Sequence, residues 1–147
     1  MIGSQLALSK EVSNGLLKEV SNGRETVLLV DDDPLVLDIG WRILRRLGYR
    51  VLLATDGQEA VKVYREHSDE VALVILDVMM PKMNGREALG HLKRLNGGVK
   101  VLVVTGSYTE EVEAVMLAEG AEAILKKPYR VEELGGAVRQ MLDRALA

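Results

Sequence analysis

The sequence predicts an α/β domain in which a five-stranded parallel sheet is wound with helices on both faces. Two patterns carry that prediction. From Thr26 onward five short apolar runs alternate with five amphipathic stretches, the order expected of strand and helix in turn. The chain is also 48% hydrophobic with no Phe and one Trp, so its core is aliphatic, which suits strands buried on both faces. A chain of 147 residues is about one domain and can bury such a core without staples.

The elements follow in order. Thr26–Val30 reads as the first strand. The first helix starts near Pro34, which an opening turn accepts, and runs through Trp41 to Leu47 with Gly48 as its stop. Trp41 reads as core or helix-packing surface. Arg50–Leu53 is the second strand, and Asp56-Gly57 reads as a turn and cap ahead of a helix over Gly57–His67, where Ala60, Val61 and Tyr64 recur at helical spacing. Val71–Leu76 is the long third strand. A helix follows Asn84-Gly85 and ends near Asn96-Gly97-Gly98. Val99–Val104 is the fourth strand, and Thr109–Glu119 is a helix with a capped start and Gly120 at its close. Ala123–Leu125 is the fifth strand. The last helix runs from Val131 towards Ala147, loosened by Gly135-Gly136 at roughly 1 kcal/mol per Gly against Ala.

Residues 1–25 differ from the rest, because Leu8-Ser9-Lys10-Glu11-Val12-Ser13-Asn14-Gly15 is nearly repeated as Leu16-Leu17-Lys18-Glu19-Val20-Ser21-Asn22-Gly23. Leu8, Val12, Leu16 and Val20 could form a helical stripe, but each Asn-Gly pair is a stop signal. The segment reads as an N-terminal extension or linker with a short tandem repeat, frayed or dependent on a partner, and residues 26–147 as the folded domain.

Charge and composition exclude several function classes. A formal charge of −3 with dispersed basic residues argues against nucleic acid or anionic lipid as a partner. No run reaches the roughly 20 apolar residues of a membrane span, the start lacks the features of a secretory signal, and the cytoplasm is the expected location. Zero cysteine excludes a thiolate metal site or a cysteine nucleophile. His67 and His91 lie on separate predicted helices with no partner at ligand spacing.

The informative residues are those just past each apolar run, since ligands of open parallel sheets bind outside the carboxyl ends of the strands. They are Asp31 and Asp32, Asp77, Thr105 and Lys127. Two unit charges about 4 Å apart repel by roughly 4 kcal/mol at an effective dielectric of 20, so gathered carboxylates need cations, and Lys127 with a divalent metal would supply them. Oxygen donors with few nitrogens favour Mg²⁺. A carboxylate beside such a cation can attack phosphorus and become an acyl phosphate. Asp77, at the end of the long strand, is the expected nucleophile, with Lys127 and the metal neutralising the phosphoryl charge and Thr105 hydrogen-bonding a phosphoryl oxygen. Asp33 reads as a helix cap, Lys126 as an exposed strand-end lysine, and Met79, Met80 and Met83 as packing and loop closure. Gly106 and Ser107 shape access to the site.

Five segments in order carry a family resemblance: Val30-Asp31-Asp32-Asp33-Pro34, Asp56-Gly57-Gln58-Glu59-Ala60, Asp77-Val78-Met79-Met80-Pro81-Lys82-Met83-Asn84-Gly85, Thr105-Gly106 and Lys126-Lys127-Pro128-Tyr129. Over about residues 25–145 the chain resembles a response-regulator receiver domain, the phosphoacceptor half of two-component signalling. The resemblance implies a flavodoxin-like sheet of strand order 2-1-3-4-5. It implies Asp77 as the phosphorylated aspartate, and Asp32, Asp77 and the Met79 backbone carbonyl as Mg²⁺ ligands, with Asp31 acting through water. It also implies Lys127 as the phosphoryl-binding lysine and Thr105 as the switch hydroxyl. The phosphodonor would be a histidine kinase or histidine phosphotransfer protein, and output would pass to a downstream protein at the face of the fourth helix, fifth strand and fifth helix. The chain would then not be an enzyme, beyond self-phosphorylation from acyl phosphates and self-dephosphorylation. It departs from the family at Ile124, where an aromatic switch residue is usual, so a switch there must act by aliphatic repacking. Gly23-Arg24-Glu25-Thr26 resembles the entry to receivers attached behind sensor kinases, and too few residues follow the last helix for an effector domain.

Two other readings compete. A haloacid-dehalogenase-like phosphatase also uses an aspartyl nucleophile, and Asp31-x-Asp33 formally meets its motif. A phosphorylation-independent interaction module is the other, hinted at by Ile124.

Overall fold

Val27–Val30 and Leu73–Leu76 are almost wholly shielded from solvent, and around these two central strands the rest of the domain is laid down. The structure, a computed structural model, describes residues 24–78 and 84–144. The repeat in residues 1–23, the Met79, Met80 and Met83 readings and the chain's last three residues lie outside them.

Ten elements alternate: β1 (Thr26–Val30), α1 (Pro34–Arg46), β2 (Arg50–Ala54), α2 (Gly57–His67), β3 (Val71–Asp77), α3 (Gly85–Leu95), β4 (Val101–Thr105), α4 (Glu110–Ala118), β5 (Ala123–Lys126) and α5 (Val131–Asp143). The five strands are parallel and their order is β2-β1-β3-β4-β5, as expected. Two cores cover the sheet. On one face Leu28, Val30, Val74, Leu76, Val101 and Val103 meet Tyr64 of α2, Leu89 and Leu92 of α3 and Met116 of α4. On the other, Val27, Leu29, Ile75, Leu102 and Val104 meet Leu37 and Leu44 of α1 and Leu134, Val138 and Met141 of α5. No helix among the described residues is long and apolar enough to cross a membrane.

Predicted strand ends moved by at most two residues, and β4 moved furthest among the strands, starting at Val101 rather than Val99. The reason is local: Val99 N donates to Asn96 O and Gly98 N to the Asn96 side chain, so residues 96–99 are a turn that closes α3. The last helix stops at Asp143, where the Lys100 ammonium binds the carbonyls of Met141 (2.8 Å), Leu142 and Arg144 (2.7 Å) and so satisfies groups that a helix end leaves unpaired. The Gly135-Gly136 pair does not interrupt it. A Cβ on Gly135 would lie 3.1 Å from the Leu47 side chain, so that glycine lets α5 approach α1.

The stop signals act as read. Gly48 and Gly120 have φ of 100° and 110°, the left-handed conformation that ends a helix at little cost only in glycine. Asp33, Asp56, Asn84 and Thr109 each cap the helix that follows by accepting a backbone N–H.

Candidate functional site

Three loops meet at the carboxyl edge of the sheet because β1, β3 and β4 are neighbours there. Val30 is in register with Leu76, and Asp77 with Val104, so Asp31, Asp77 and Thr105 leave adjacent strands at one level. β5 adds Lys127, whose N–H donates to the Thr105 carbonyl at 2.8 Å; the peptide bond from Lys127 to Pro128 is cis.

Carboxylate oxygens of Asp31, Asp32 and Asp77 lie within 4.8 Å of one another. Asp31 and Asp77 are 2% and 3% exposed, whereas Asp32 faces solvent. The Lys127 ammonium stands against the two buried groups, 2.6 Å from Asp31 and 3.5 Å from Asp77. Burial pulls the lysine pKa down, but the hydrogen bond to Asp31 and the charges of Asp77 and Asp31 push it further up, so the net shift is upward. The other Asp31 oxygen accepts the Asp33 N–H at 2.9 Å. Among the described residues the Lys127 ammonium faces two of three gathered carboxylates, and the all-oxygen donor set fits a hard divalent cation.

Thr105 is fully buried. Its hydroxyl oxygen accepts the Ser107 N–H at 3.0 Å, which leaves the hydroxyl proton available to a further acceptor. Behind Asp77, Gly85 N–H donates to Val78 O at 3.2 Å, and a Cβ on Gly85 would fall 2.3 Å from Val78 Cα. Only glycine permits that approach of α3 to the strand end.

The structure thus brings together Asp31, Asp32, Asp77 and Lys127, with Thr105 on the neighbouring strand. Ile124, half-buried, packs against the core on the α2, α3 and α4 face. Lys126 points to solvent. Asp33 is set apart from the cluster: its side chain accepts Leu35 N–H at 2.9 Å, so the Asp-x-Asp reading loses its second acid to helix capping. His67 lies 3.3 Å from Glu70, while the Arg94 guanidinium approaches His91 at 3.1 Å; neither belongs to the carboxylate cluster. Trp41 is half-buried, with the Arg45 guanidinium 5.0 Å over its ring.

Sequence reasoning missed two things. It set Lys127 against the carboxylates as a group and against a phosphoryl group, but not in a direct bond to Asp31, since residues 96 positions apart carry no local signal of which pair forms. It also read Gly85 as a helix start only; the Asn84-Gly85 pair was visible, but not the strand it touches.

A parallel sheet of this order, with acids and Lys127 gathered at its carboxyl edge, is a doubly wound α/β domain whose site lies at the strand ends. The family model described as the response regulator receiver domain matches residues 27–139, and the chain belongs to that family. Among similar proteins, response regulator MprA of Mycolicibacterium vanbaalenii is 37% identical over 80% of this chain and 50% of its own length. Sensor kinase CckA of Brucella abortus is 36% identical over 84% of this chain and 13% of its own length. The chain therefore spans about half of such regulators and a small part of the kinase. Of solved structures, a response regulator receiver domain protein from Clostridium thermocellum aligns with TM-score 0.78 at 27% identity, covering 82% of this chain and 95% of that one. CheY in the CheX-CheY-BeF3-Mg complex of Borrelia burgdorferi aligns with TM-score 0.79 at 26% identity, covering 82% and 90%.

Proposed function

We propose that this chain receives a phosphoryl group on Asp77 from a histidine kinase or histidine phosphotransfer protein, with Mg²⁺ bound beside it, and that the acquired group switches binding of a partner. The observation that carries this reading is the cluster itself: buried Asp31 and Asp77 share the Lys127 ammonium at the carboxyl edge of the sheet, with the exposed Asp32 carboxylate beside them.

In the proposed step an Asp77 carboxylate oxygen attacks the phosphorus of a phosphohistidine. The O–P bond forms as the P–N bond breaks, the imidazole leaves with the electron pair and takes a proton from solvent, and an acyl phosphate results. Asp32, Asp77 and the Met79 carbonyl would hold the metal directly and Asp31 through water; when bound, Mg²⁺ supplies positive charge that offsets the phosphoryl oxygens. Lys127 is near enough to exchange part of its bond to Asp31 for those oxygens, and the Thr105 hydroxyl donates its free proton to one of them. Thr105 and Ile124 are the switch positions. Output would be read on α4, β5 and α5, where Val115 and Leu117 are exposed. The chain is then no enzyme in the ordinary sense, beyond self-phosphorylation from acyl phosphates and self-dephosphorylation.

Incubation with acetyl phosphate and Mg²⁺ tests this by intact mass. Wild type gains one phosphoryl group and Asp77→Asn gains none; a wild type without added mass would overturn the reading. Steady-state turnover of an aryl phosphate that survives Asp77→Asn would point to a phosphatase instead.

A further inference from the structure

The fourth helix is covered on one side only. Val112 and Met116 of α4 turn inward and pack on the core shared with α2 and α3. Outward lie Glu110 and Glu111 in the first turn, then Ala114, Val115, Leu117 and Ala118, all of them exposed, with Val115 at 36% and Leu117 at 44%. From Ala114 to Ala118 every residue is apolar. A helix at a globular surface ordinarily confines its apolar residues to the stripe that meets the core, and one that is apolar all round is ordinarily covered all round. The outer side of α4 is therefore a surface made to be covered.

Charge on this helix has one sign. α4 carries Glu110, Glu111 and Glu113 with no Lys or Arg, and Glu119 follows it. The Arg86 guanidinium of α3 holds Glu119 at 2.6 Å. Among the described residues Glu110 and Glu111 make no ion pair, and neither does the exposed Lys126 of β5. Acids in a first turn suit the helix dipole, so alone they mark nothing; here they border an uncovered apolar surface. A second copy of the chain fits that surface poorly. A two-fold contact sets one face against itself, so two α4 helices running the same way bring Glu110 and Glu111 against their counterparts. Running opposite ways, they bring them towards Glu119.

We propose that the outer face of α4 docks a helical segment of another protein that carries an apolar stripe with Lys or Arg at one end, and not a second copy of this chain. This names the chemistry of the partner at the output face proposed above, and it rests on that reading for any dependence on the phosphoryl group. The stripe covers Ala114, Val115, Leu117 and Ala118, and the basic end meets Glu110 and Glu111. Apolar contact supplies most of the affinity, while the charges set orientation and reject acidic partners.

The probe is a synthetic helical peptide with a leucine stripe and lysines at one end, beside a twin with glutamates in place of the lysines. Each is titrated by calorimetry against the full chain, with and without beryllofluoride and Mg²⁺, at low and at high salt. The lysine peptide binds wild type, more weakly as salt rises, and the glutamate peptide does not bind. Leu117→Ser weakens binding about tenfold, the scale of leaving one leucine side chain uncovered. Glu110→Gln with Glu111→Gln weakens it about fivefold, as loss of two exposed ion pairs does. The same loss of charge elsewhere on the surface, Glu66→Gln with Asp69→Asn, leaves binding unchanged, and every variant melts as wild type. Equal binding of the two peptides, no binding of the lysine peptide in either state, or equal weakening by the remote pair overturns the proposal. So does a dimer in sedimentation velocity, formed with beryllofluoride and Mg²⁺ and abolished by Leu117→Ser, since a second copy would then cover the face. A chain that gains no phosphoryl mass from acetyl phosphate overturns the phosphoacceptor reading instead, and the titrations without beryllofluoride still decide what α4 binds.

Discussion

The two ends of the sheet treat charge in opposite ways. At the amino end acids and bases meet their partners: Arg139 of α5 holds Glu25 through both carboxylate oxygens (2.8 and 3.3 Å) and Asp143 at 2.8 Å. Lys93 donates to Val99 O (2.6 Å) and Glu122 (3.3 Å), and Glu122 in turn accepts Val101 N–H at 2.7 Å. At the carboxyl end three carboxylates gather within 4.8 Å of one another, and Lys127 pairs with two of them, Asp31 and Asp77. The amino end is arranged for stability, whereas the carboxyl end gathers like charges, two of them buried, within 4.8 Å of one another. Such local conflicts between charge and burial mark functional sites.

Removing charge should therefore have opposite consequences at the two ends. The largest effect is Asp77→Asn: phosphorylation by acetyl phosphate is lost, while the melting temperature is unchanged or higher because one of the mutually repelling carboxylates is gone. A fall of more than about 1 kcal/mol in denaturant stability, the scale of a median mutation, would show that Asp77 stabilises the fold.

Next comes the frame that holds the site. Gly85→Ala forces a methyl group against Val78 and should cost about 3 kcal/mol or more, as overpacking against backbone does. Urea denaturation measures it. At the amino end Arg139→Met should cost about 2 kcal/mol, the scale of losing hydrogen bonds between charged groups with a partly buried acid left unpaired, and should leave acetyl phosphate labelling near the wild-type level.

A smaller effect is in pH. The hydrogen bond from Arg139 holds the Glu25 carboxyl below its ordinary 4.5. Its contribution is present above that value and is lost as pH falls through the lowered pKa. Lys127 is shifted the other way, above its ordinary 10.5, so its contribution is present below 10.5 and is lost as pH rises through the raised pKa. Acid should loosen the amino end and alkali the carboxyl end. Hydrogen exchange of the segments around Glu25 and Asp31, compared with Arg139→Met and Lys127→Met, distinguishes them; identical pH responses at both ends would break the contrast.

The smallest is Asp32→Asn. That carboxylate is exposed, so stability should change by only a few tenths of a kcal/mol, upward, while the Mg²⁺ concentration needed for labelling rises.

The contrast also explains what the sequence made legible. Acidic residues at strand ends are a local pattern, and once β1 and β3 are neighbours, Asp31 and Asp77 must meet. Helix caps such as Asp33 and Thr109 are equally local. What stayed hidden depends on distant partners: Arg139 and Glu25 are 114 positions apart, and nothing near either residue marks the pair. The same holds for Gly85 against Val78 and for Gly40 against the Leu29 side chain, where the need for glycine arises from a backbone or side chain brought in by folding.

The account's central claim is that the carboxyl-end cluster of like charges serves to phosphorylate one carboxylate. Treating the acetyl phosphate product with borohydride reduces an acyl phosphate to an alcohol, and peptide mapping then reports which aspartate carried the group. The account predicts homoserine at position 77 and only there, dependent on Mg²⁺ and on Lys127. Reduction at Asp31 or Asp32, or at no aspartate in a chain that has gained phosphoryl mass, would contradict it.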